Sequence, residues 1–120
     1  MTIINTILVI LVALLHFYFL YLEMFLWTKP RTRKIFGLTE SFANESVKLA
    51  ANQGMYNGFL ASGLVYGLLI GDHPAGQPII VMNLVFVCVA AVYGAYSVSR
   101  KILFVQGAPA LLALLTMWLA

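Results

Sequence analysis

Charge is scarce in this chain: its 120 residues include 7 Lys or Arg and 4 Asp or Glu, so that 9% are charged while 62% are hydrophobic. Soluble domains carry about 25% charged residues, so the composition excludes a soluble globular protein and predicts an integral membrane protein. Cysteine is rarer still: Cys88 is the single one, which excludes an intrachain disulfide and a cysteine-based metal site. No P-loop, metal-ligand spacing or nucleophile elbow occurs, so no motif requires a cofactor or a metal.

Long apolar stretches fill most of the chain. A transmembrane helix needs about 20 predominantly apolar residues, and four stretches meet this length: residues 3–27, 49–70, 79–98 and 102–119. The first has no basic leader and no small-residue cleavage site, so we expect it to be retained rather than removed as a signal peptide. Short connections favour antiparallel neighbours. The predicted fold is a single all-α integral membrane domain over residues 1–120, an antiparallel bundle of four transmembrane helices.

The second helix is expected to extend beyond its apolar stretch. Pro30 favours an extended conformation at Lys29, so the first helix should end there and a basic turn should follow. Thr39 is a suitable N-cap, and Glu40 would complement the helix dipole in the first turn. The pattern therefore predicts one long helix from about residue 40 to about residue 70. A separate helix on the membrane surface before residue 49 is the alternative.

The basic residues predict the orientation. All seven lie in or beside the first and third connections between the spans: Lys29, Arg31, Arg33, Lys34, Lys48, Arg100 and Lys101. By the positive-inside rule these connections face the cytoplasm, and both termini lie on the outer side. Because the basic residues adjoin membrane ends and form no separate basic domain, contact with anionic lipid headgroups explains them better than a nucleic-acid partner does.

Polar residues of the first span share one helix face. Asn5, His16, Glu23 and Trp27 are separated by eleven, seven and four positions, which aligns them at about 100° per residue. We expect this face to point into protein. Intramembrane acids are rare and often functional, so Glu23 is a candidate ligand-binding acid, although a structural hydrogen bond or exposure to water at the helix end is an equal alternative. His16 is either a proton relay or a hydrogen-bonded structural residue.

The second span begins with an amide-rich segment. Amides in hydrocarbon cost free energy unless they are paired, and a kink at Pro109 places Gln106 in a further polar niche. These features predict a site for a small molecule near the cytoplasmic leaflet, formed by Glu23, Asn52, Gln53, Tyr56, Asn57 and Gln106. Possible accessory residues are His16, Trp27, Glu45, Lys48, Tyr93 and Arg100. Aromatic residues of the interfacial belt are the more common interpretation of Tyr93.

Small residues recur at every fourth position of the second helix. One set comprises Gly54, Gly58 and Ser62, and the other comprises Gly63, Gly67 and Gly71. Each set permits close approach of another helix. Two such surfaces either serve two helices of the same chain or leave one surface for a homo-oligomer, in the form of a dimer or a trimer.

Four motifs extend over nearly the whole chain: Glu23-x3-Trp27, Phe36-Gly37, Asn52-Gln53-Gly54-x-Tyr56-Asn57-Gly58-x-Leu60-Ala61-x-Gly63 and Gln106-Gly107-x-Pro109-Ala110. In these motifs the chain resembles a small bacterial membrane family known as domain of unknown function 1304. The resemblance implies a multi-pass protein of the bacterial plasma membrane. It implies no reaction and no catalytic residues, because the family carries no established activity.

Two other resemblances supply alternative functions. Glu45-x-Val47-Lys48-x2-Ala51-Asn52-Gln53 is similar to the start of the second helix in the membrane-associated eicosanoid and glutathione metabolism proteins, which are four-helix enzymes that typically form trimers. The four spans and the acid in the first helix are similar in outline to the small multidrug resistance exporters. We predict a homo-oligomeric membrane protein that binds an amphipathic or lipid-like molecule, with a glutathione-dependent enzyme and a proton-coupled exporter as the alternatives.

Overall fold

The computed structural model describes residues 1–97 and 99–120, and within these ranges the protein is helical without strands. In chain order the helical segments are α1 (Ile3–Phe25), α2 (Pro30–Phe36), α3 (Glu40–Glu45), α4 (Val47–Leu69), α5 (Gly76–Ser97), α6 (Arg100–Ile102), a π-helical turn (Leu103–Gly107) and α7 (Ala108–Leu119). Val98, the last residue of the third predicted span, lies outside the described residues. The prediction of an all-helical protein is confirmed.

Three of the four predicted spans have helices that can cross a membrane. These are Ile3–Phe25, Gly76–Ser97 and Arg100–Leu119, whose mean hydropathies are 2.5, 2.2 and 1.9. About a quarter of the residues in each are buried, so most of their apolar side chains are exposed, as a lipid-facing surface requires. Among the described helices, α4 is not in this group. Its 23 residues are long enough, but the amides in its first half lower its hydropathy.

The chain forms two compact units, residues 1–15 with 60–120 and residues 16–59. In the larger unit, the core brings together apolar side chains of Val9, Val12, Ala13, Leu64, Ile80, Leu84, Val87, Ala110, Ala113 and Met117. α5 packs against α6, the π-helical turn and α7. An added Cβ at Gly107 would lie 2.9 Å from the Cβ of Ala91, so the small residue lets the π-helical turn approach α5 closely.

Two connections of the larger unit differ in detail from the prediction. Arg100 and Lys101 lie in the predicted third connection, but they begin α6 instead. The cause is Ser99, whose side chain accepts a hydrogen bond from the backbone N–H of Lys101 at 3.2 Å and so caps the helix. The π-helical turn leads directly into α7, which has Pro109 in its first turn. Proline cannot donate a backbone hydrogen bond, so the helical bonding is irregular in the turn before it. This is the position at which the sequence predicted a kink.

The smaller unit corrects two expectations. The basic segment after α1 is not a turn, because Pro30 occupies the first turn of α2 and its fixed φ favours helix initiation. Lys29 is extended at φ −70° and ψ 144°, as predicted, and α1 ends at Phe25, two residues earlier than expected. Gly37 ends α2 in the left-handed conformation, at φ 68°, which glycine adopts without a steric penalty.

The long second helix is interrupted at one residue. Thr39 caps α3 as predicted, since its hydroxyl accepts from the N–H of Phe42 at 3.1 Å. α3 ends at Glu45 and α4 begins at Val47, so a single uninterrupted helix from residue 40 to residue 70 was wrong. The hydroxyl of Ser46 donates to the carbonyl of Phe42 at 2.6 Å, and such a bond to the preceding turn bends helices.

Candidate functional site

The polar face of α1 points into the protein, as its spacing predicted. The exposed fractions of Asn5, His16 and Glu23 are 1%, 0% and 2%. Trp27 follows the end of α1 and is half-buried. Apolar residues on other faces of the same helix are exposed, including Leu14 and Phe25. α1 therefore separates a lipid-compatible surface from a buried polar stripe.

Glu23 and Asn57 form the centre of the candidate site within the smaller unit. The Nδ2 group of Asn57 donates a hydrogen bond to Oε1 of Glu23 at 2.5 Å, and the bond is buried. Asn57 is 9% exposed, so the two side chains form their hydrogen bond to each other in place of hydrogen bonds to water. The side chain of Gln53, one turn earlier on α4, also interacts with the Glu23 carboxyl group. Amide donors around a buried carboxyl group offset the cost of removing it from water.

Two glycines let α4 approach α1 at this level. An added Cβ at Gly54 would lie 2.7 Å from Cγ of Met24, 3.2 Å from Cβ of Glu23 and 3.3 Å from the carbonyl oxygen of Leu20. An added Cβ at Gly58 would lie 2.5 Å from Cδ1 of Leu20. Because Gly54, Asn57 and Gly58 lie on one side of α4, the close approach brings the amide within reach of the acid.

A second polar contact connects the end of α1 to the start of α4. Nε1 of Trp27 donates to Oγ of Ser46 at 3.0 Å, and the Ser46 hydroxyl donates in turn to the Phe42 carbonyl. The Trp27 ring also packs on Phe36, with ring centroids 5.1 Å apart. Trp27 thus contacts α2 and the break between α3 and α4, where it acts as a structural anchor.

The other sequence-predicted residues are dispersed. Asn52 and Tyr56 are exposed on α4, as are the accessory residues Glu45 at the end of α3 and Lys48 near the start of α4. His16 is fully buried in the middle of α1. In the larger unit, Gln106 is half-buried in the π-helical turn, whereas Tyr93 and Arg100 are exposed. Of the six proposed ligand-binding residues, the smaller unit therefore brings together Glu23, Gln53 and Asn57.

Sequence reasoning missed two polar contacts of the larger unit. The Asn5 side chain donates to Oγ1 of Thr116 at 2.9 Å and also accepts from the Thr2 N–H at 2.9 Å, while the Asn5 N–H donates to Oγ1 of Thr2 at 3.2 Å. The reciprocal pair with Thr2 is a capping arrangement that its three-residue spacing could have revealed. No local signal identifies Thr116 as a partner, because the contact spans 111 positions.

Asn83 and Gly63 form the other missed contact. Asn83 is 8% exposed, and its Nδ2 group donates to the carbonyl of Ile79 one turn earlier at 2.9 Å. An added Cβ at Gly63 would lie 2.6 Å from Nδ2 and from Oδ1 of Asn83. Gly67 similarly lies against Ile80. The glycine sets of α4 thus have partners inside the chain, α1 for Gly54 and Gly58 and α5 for Gly63 and Gly67, so they do not themselves require a homo-oligomer.

The described residues define an all-helical protein with three helices able to span a membrane and a buried acid–amide pair in its smaller unit. The chain belongs to the family described as "Protein of unknown function (DUF1304)", whose model matches residues 10–118. It is 37% identical over 118 residues to "Uncharacterized protein YpaA" of Lactococcus lactis subsp. lactis (strain IL1403), an alignment that covers 97% of this chain and 98% of the relative. No solved structure matches the chain.

Proposed function

We propose that the protein is a four-span protein of the bacterial plasma membrane that binds an amphipathic, lipid-like molecule near the cytoplasmic leaflet. α4 would supply the fourth span, since its 23 residues extend about 34 Å and the hydrocarbon core is about 30 Å thick. The basic connections would face the cytoplasm by the positive-inside rule, with both termini outside. Glu23 lies near the end of α1 that precedes the basic segment, which supports a site near the cytoplasmic leaflet.

The observation that carries this proposal is the buried hydrogen bond between Glu23 and Asn57. A carboxyl group this deep in an apolar helix is costly, and such residues are retained mainly where they serve a function. An acid with amide donors can pair with a cationic group or accept hydrogen bonds from a hydroxyl or an amide. The apolar side chains around it would accept a hydrocarbon tail, so an amphipathic molecule matches both parts of the site.

The exposed amides of α4 support a homo-oligomer. Asn52 and Tyr56 lie on the outer surface of a helix that we place partly in the membrane, where lipid offers polar groups no hydrogen bonds. Gln53 is also exposed, although its side chain reaches Glu23 as well. A second copy inserted in the same orientation would present the same residues at the same depth. Since asparagine and glutamine side chains both donate and accept, identical amide surfaces are self-complementary. The ligand would then lie between copies, next to the buried acid.

Native mass spectrometry from mild detergent tests the ligand and the assembly together. We expect a dimer or a trimer with a retained small molecule, and we expect Glu23→Gln and Asn57→Ala to lose that molecule. Asn44→Ala is the matched control, because Asn44 is an exposed amide on α3. A monomer without a ligand, or equal retention of the ligand in all variants, would contradict the proposal.

The fourth span has its own test. In a Cys88→Ala background, single cysteines replace Asn44 before α4 and Asp72 after it, both of which are exposed. A membrane-impermeant maleimide should label the cysteine at residue 72 from outside intact cells and the one at residue 44 only after lysis. Labelling of both from the same side would show that α4 does not cross the membrane.

A further inference from the structure

Positive charge is concentrated around α2 in the smaller unit. Four basic residues lie in this helix or directly before it: Lys29, Arg31, Arg33 and Lys34. No acidic residue occurs in the sequence between Glu23 and Glu40. Within residues 1–97 and 99–120, none of the four basic side chains forms an ion pair with an acidic residue of the chain. The charge of this basic cluster is therefore not balanced inside the protein, and it attracts an anion from outside.

α2 presents one face to the protein and the other to its surroundings. Thr32 is 1% exposed, and the Phe36 ring packs on Trp27. Arg31 and Lys34, three positions apart, are both exposed. Because residues three apart are neighbours on a helix, their charges add on one side of α2. The buried face fixes the helix, and the basic face is accessible to a ligand.

The side chain of Arg33 is oriented by a hydrogen bond. It is half-buried, and its Nε donates to the carbonyl of Thr28 at 3.2 Å. The backbone of Arg33 is fixed as well, since its N–H donates to the carbonyl of Lys29 at 2.9 Å and its carbonyl accepts from the N–H of Leu38 at 2.8 Å. A bond at Nε orients the guanidinium plane and leaves the edge with the two Nη groups for another acceptor.

That edge of the guanidinium group matches a planar or tetrahedral oxyanion. Its two nitrogens can donate parallel hydrogen bonds to two oxygens of one carboxylate or phosphate, which the single ammonium group of lysine cannot do. Lys29 directly follows Thr28, whose carbonyl accepts from the same guanidinium. An anion on the Nη edge of Arg33 would therefore have a second cation next to it.

The position of the basic cluster favours phosphate and a lipid source. α1 is long and apolar enough to cross a membrane, and its last residue, Phe25, is 65% exposed. Lys29 follows only four residues later, so the cluster lies where the hydrocarbon core ends and the headgroups begin. Phosphate is the oxyanion of phospholipid headgroups. A lipid with net negative charge is attracted by the whole cluster, whereas a zwitterionic lipid would bring its own cation toward Lys29 and Lys34.

We propose that Arg33 and Lys29 bind the phosphate of an anionic phospholipid, with Arg31 and Lys34 as additional positive charge. The site is discrete, and it goes beyond the general attraction of basic residues to a membrane, because one guanidinium group is oriented in advance for two hydrogen bonds. None of these residues belongs to the site around Glu23, so the lipid site is independent of the proposed function.

Native mass spectrometry of the intact protein, titrated with dioctanoyl phosphatidylglycerol in mild detergent, tests this site. The first binding event should be stronger than that of dioctanoyl phosphatidylcholine. Arg33→Lys keeps the charge but removes the two-nitrogen edge, and it should weaken the first event roughly tenfold, the effect of one hydrogen bond to a charged group. Arg31→Lys is the matched control, because it makes the same exchange at an exposed arginine and should leave the affinity unchanged.

A second pair of variants tests the site without altering Arg33. Lys29→Gln should weaken binding of phosphatidylglycerol more than Lys48→Gln does, and both lysines are exposed, so both variants should fold. This comparison decides if Arg33→Lys does not fold. Equal affinities within either pair of variants would overturn the proposal, as would equal binding of phosphatidylcholine. Displacement of phosphatidylglycerol by an equal concentration of inorganic phosphate would identify a free anion as the ligand and would also overturn it.

Discussion

Asn57 donates a hydrogen bond from its side-chain amide to the carboxyl group of Glu23, 34 positions earlier in the chain, and both residues are buried. The pair connects α4 to α1 within the smaller unit. Each group would be costly to bury alone, because an unpaired amide or carboxyl group loses its hydrogen bonds to water. The contact is therefore a condition for the close packing of the two helices, as well as the centre of the proposed site.

Removal of the amide should destabilise the protein. Asn57→Ala removes one of the two amide partners of the Glu23 carboxyl group in a buried position, and we expect a loss of about 1–3 kcal/mol in the free energy of unfolding. The measurement is unfolding by sodium dodecyl sulfate in mixed micelles, followed by circular dichroism. Asn44→Ala, at an exposed amide, should change stability by less than about 0.5 kcal/mol. Equal stability of the two variants would contradict a buried pair.

The two glycines at the α1–α4 contact should differ in their tolerance of alanine. At Gly54 the new methyl group meets the backbone carbonyl of Leu20 and the Cβ of Glu23, neither of which can rotate away. At Gly58 it meets only the end of the Leu20 side chain, which can adopt another rotamer. Gly54→Ala should therefore cost about 1–3 kcal/mol. Gly58→Ala should be nearly neutral, since alanine's helix propensity contributes up to about 1 kcal/mol.

Thermal unfolding in detergent ranks the stabilities of Gly54→Ala and Gly58→Ala. Ser62→Ala serves as the control, because Ser62 continues the same small-residue series but is exposed. The prediction is that Gly54→Ala has the lowest midpoint temperature of the three. A larger loss in Gly58→Ala than in Gly54→Ala would show that the helices can separate at Gly54.

Gly63 and Asn83 should be coupled through their shared volume. Gly63→Ala places a methyl group 2.6 Å from the Asn83 amide, so it should destabilise the larger unit by about 1–3 kcal/mol. Asn83→Ala removes the amide and should restore much of this loss in the double variant. A double-mutant cycle of unfolding free energies measures the coupling, which we expect to be at least about 1 kcal/mol. Additive effects would mean that Asn83 moves aside freely.

Trp27 should stabilise the junction between α3 and α4. Trp27→Phe removes the donor to Ser46 but keeps an aromatic ring beside Phe36, and we expect a loss of about 0.5–1.5 kcal/mol. Hydrogen exchange should become faster at residues 46–50, where the helix resumes. The matched control is Trp118→Phe, because Trp118 is 82% exposed. If the control had the same effect on exchange near Ser46, the hydrogen bond would have no local role.

Local features of the fold could be predicted from the sequence. The N-cap at Thr39, the extended conformation of Lys29 and the buried face of α1 depend on neighbouring residues and on the helical period. The wrong predictions, a turn after α1 and an uninterrupted second helix, also concerned local structure, but each position has two competing preferences. Pro30 disfavours helix at the residue before it and favours the start of a new helix. Ser46 interrupts a segment whose sequence pattern is helical throughout.

The sequence by itself determined the class of protein and the existence of a buried acid on α1, because composition and periodicity require no knowledge of distant contacts. Only the tertiary structure decided which amide meets that acid. Asn52 and Asn57 lie about 140° apart around α4, and nothing local specifies which of them faces α1. The close approach at Gly54 and Gly58 turns Asn57 inward and leaves Asn52 exposed, because a helix packs on the side where its neighbour comes nearest.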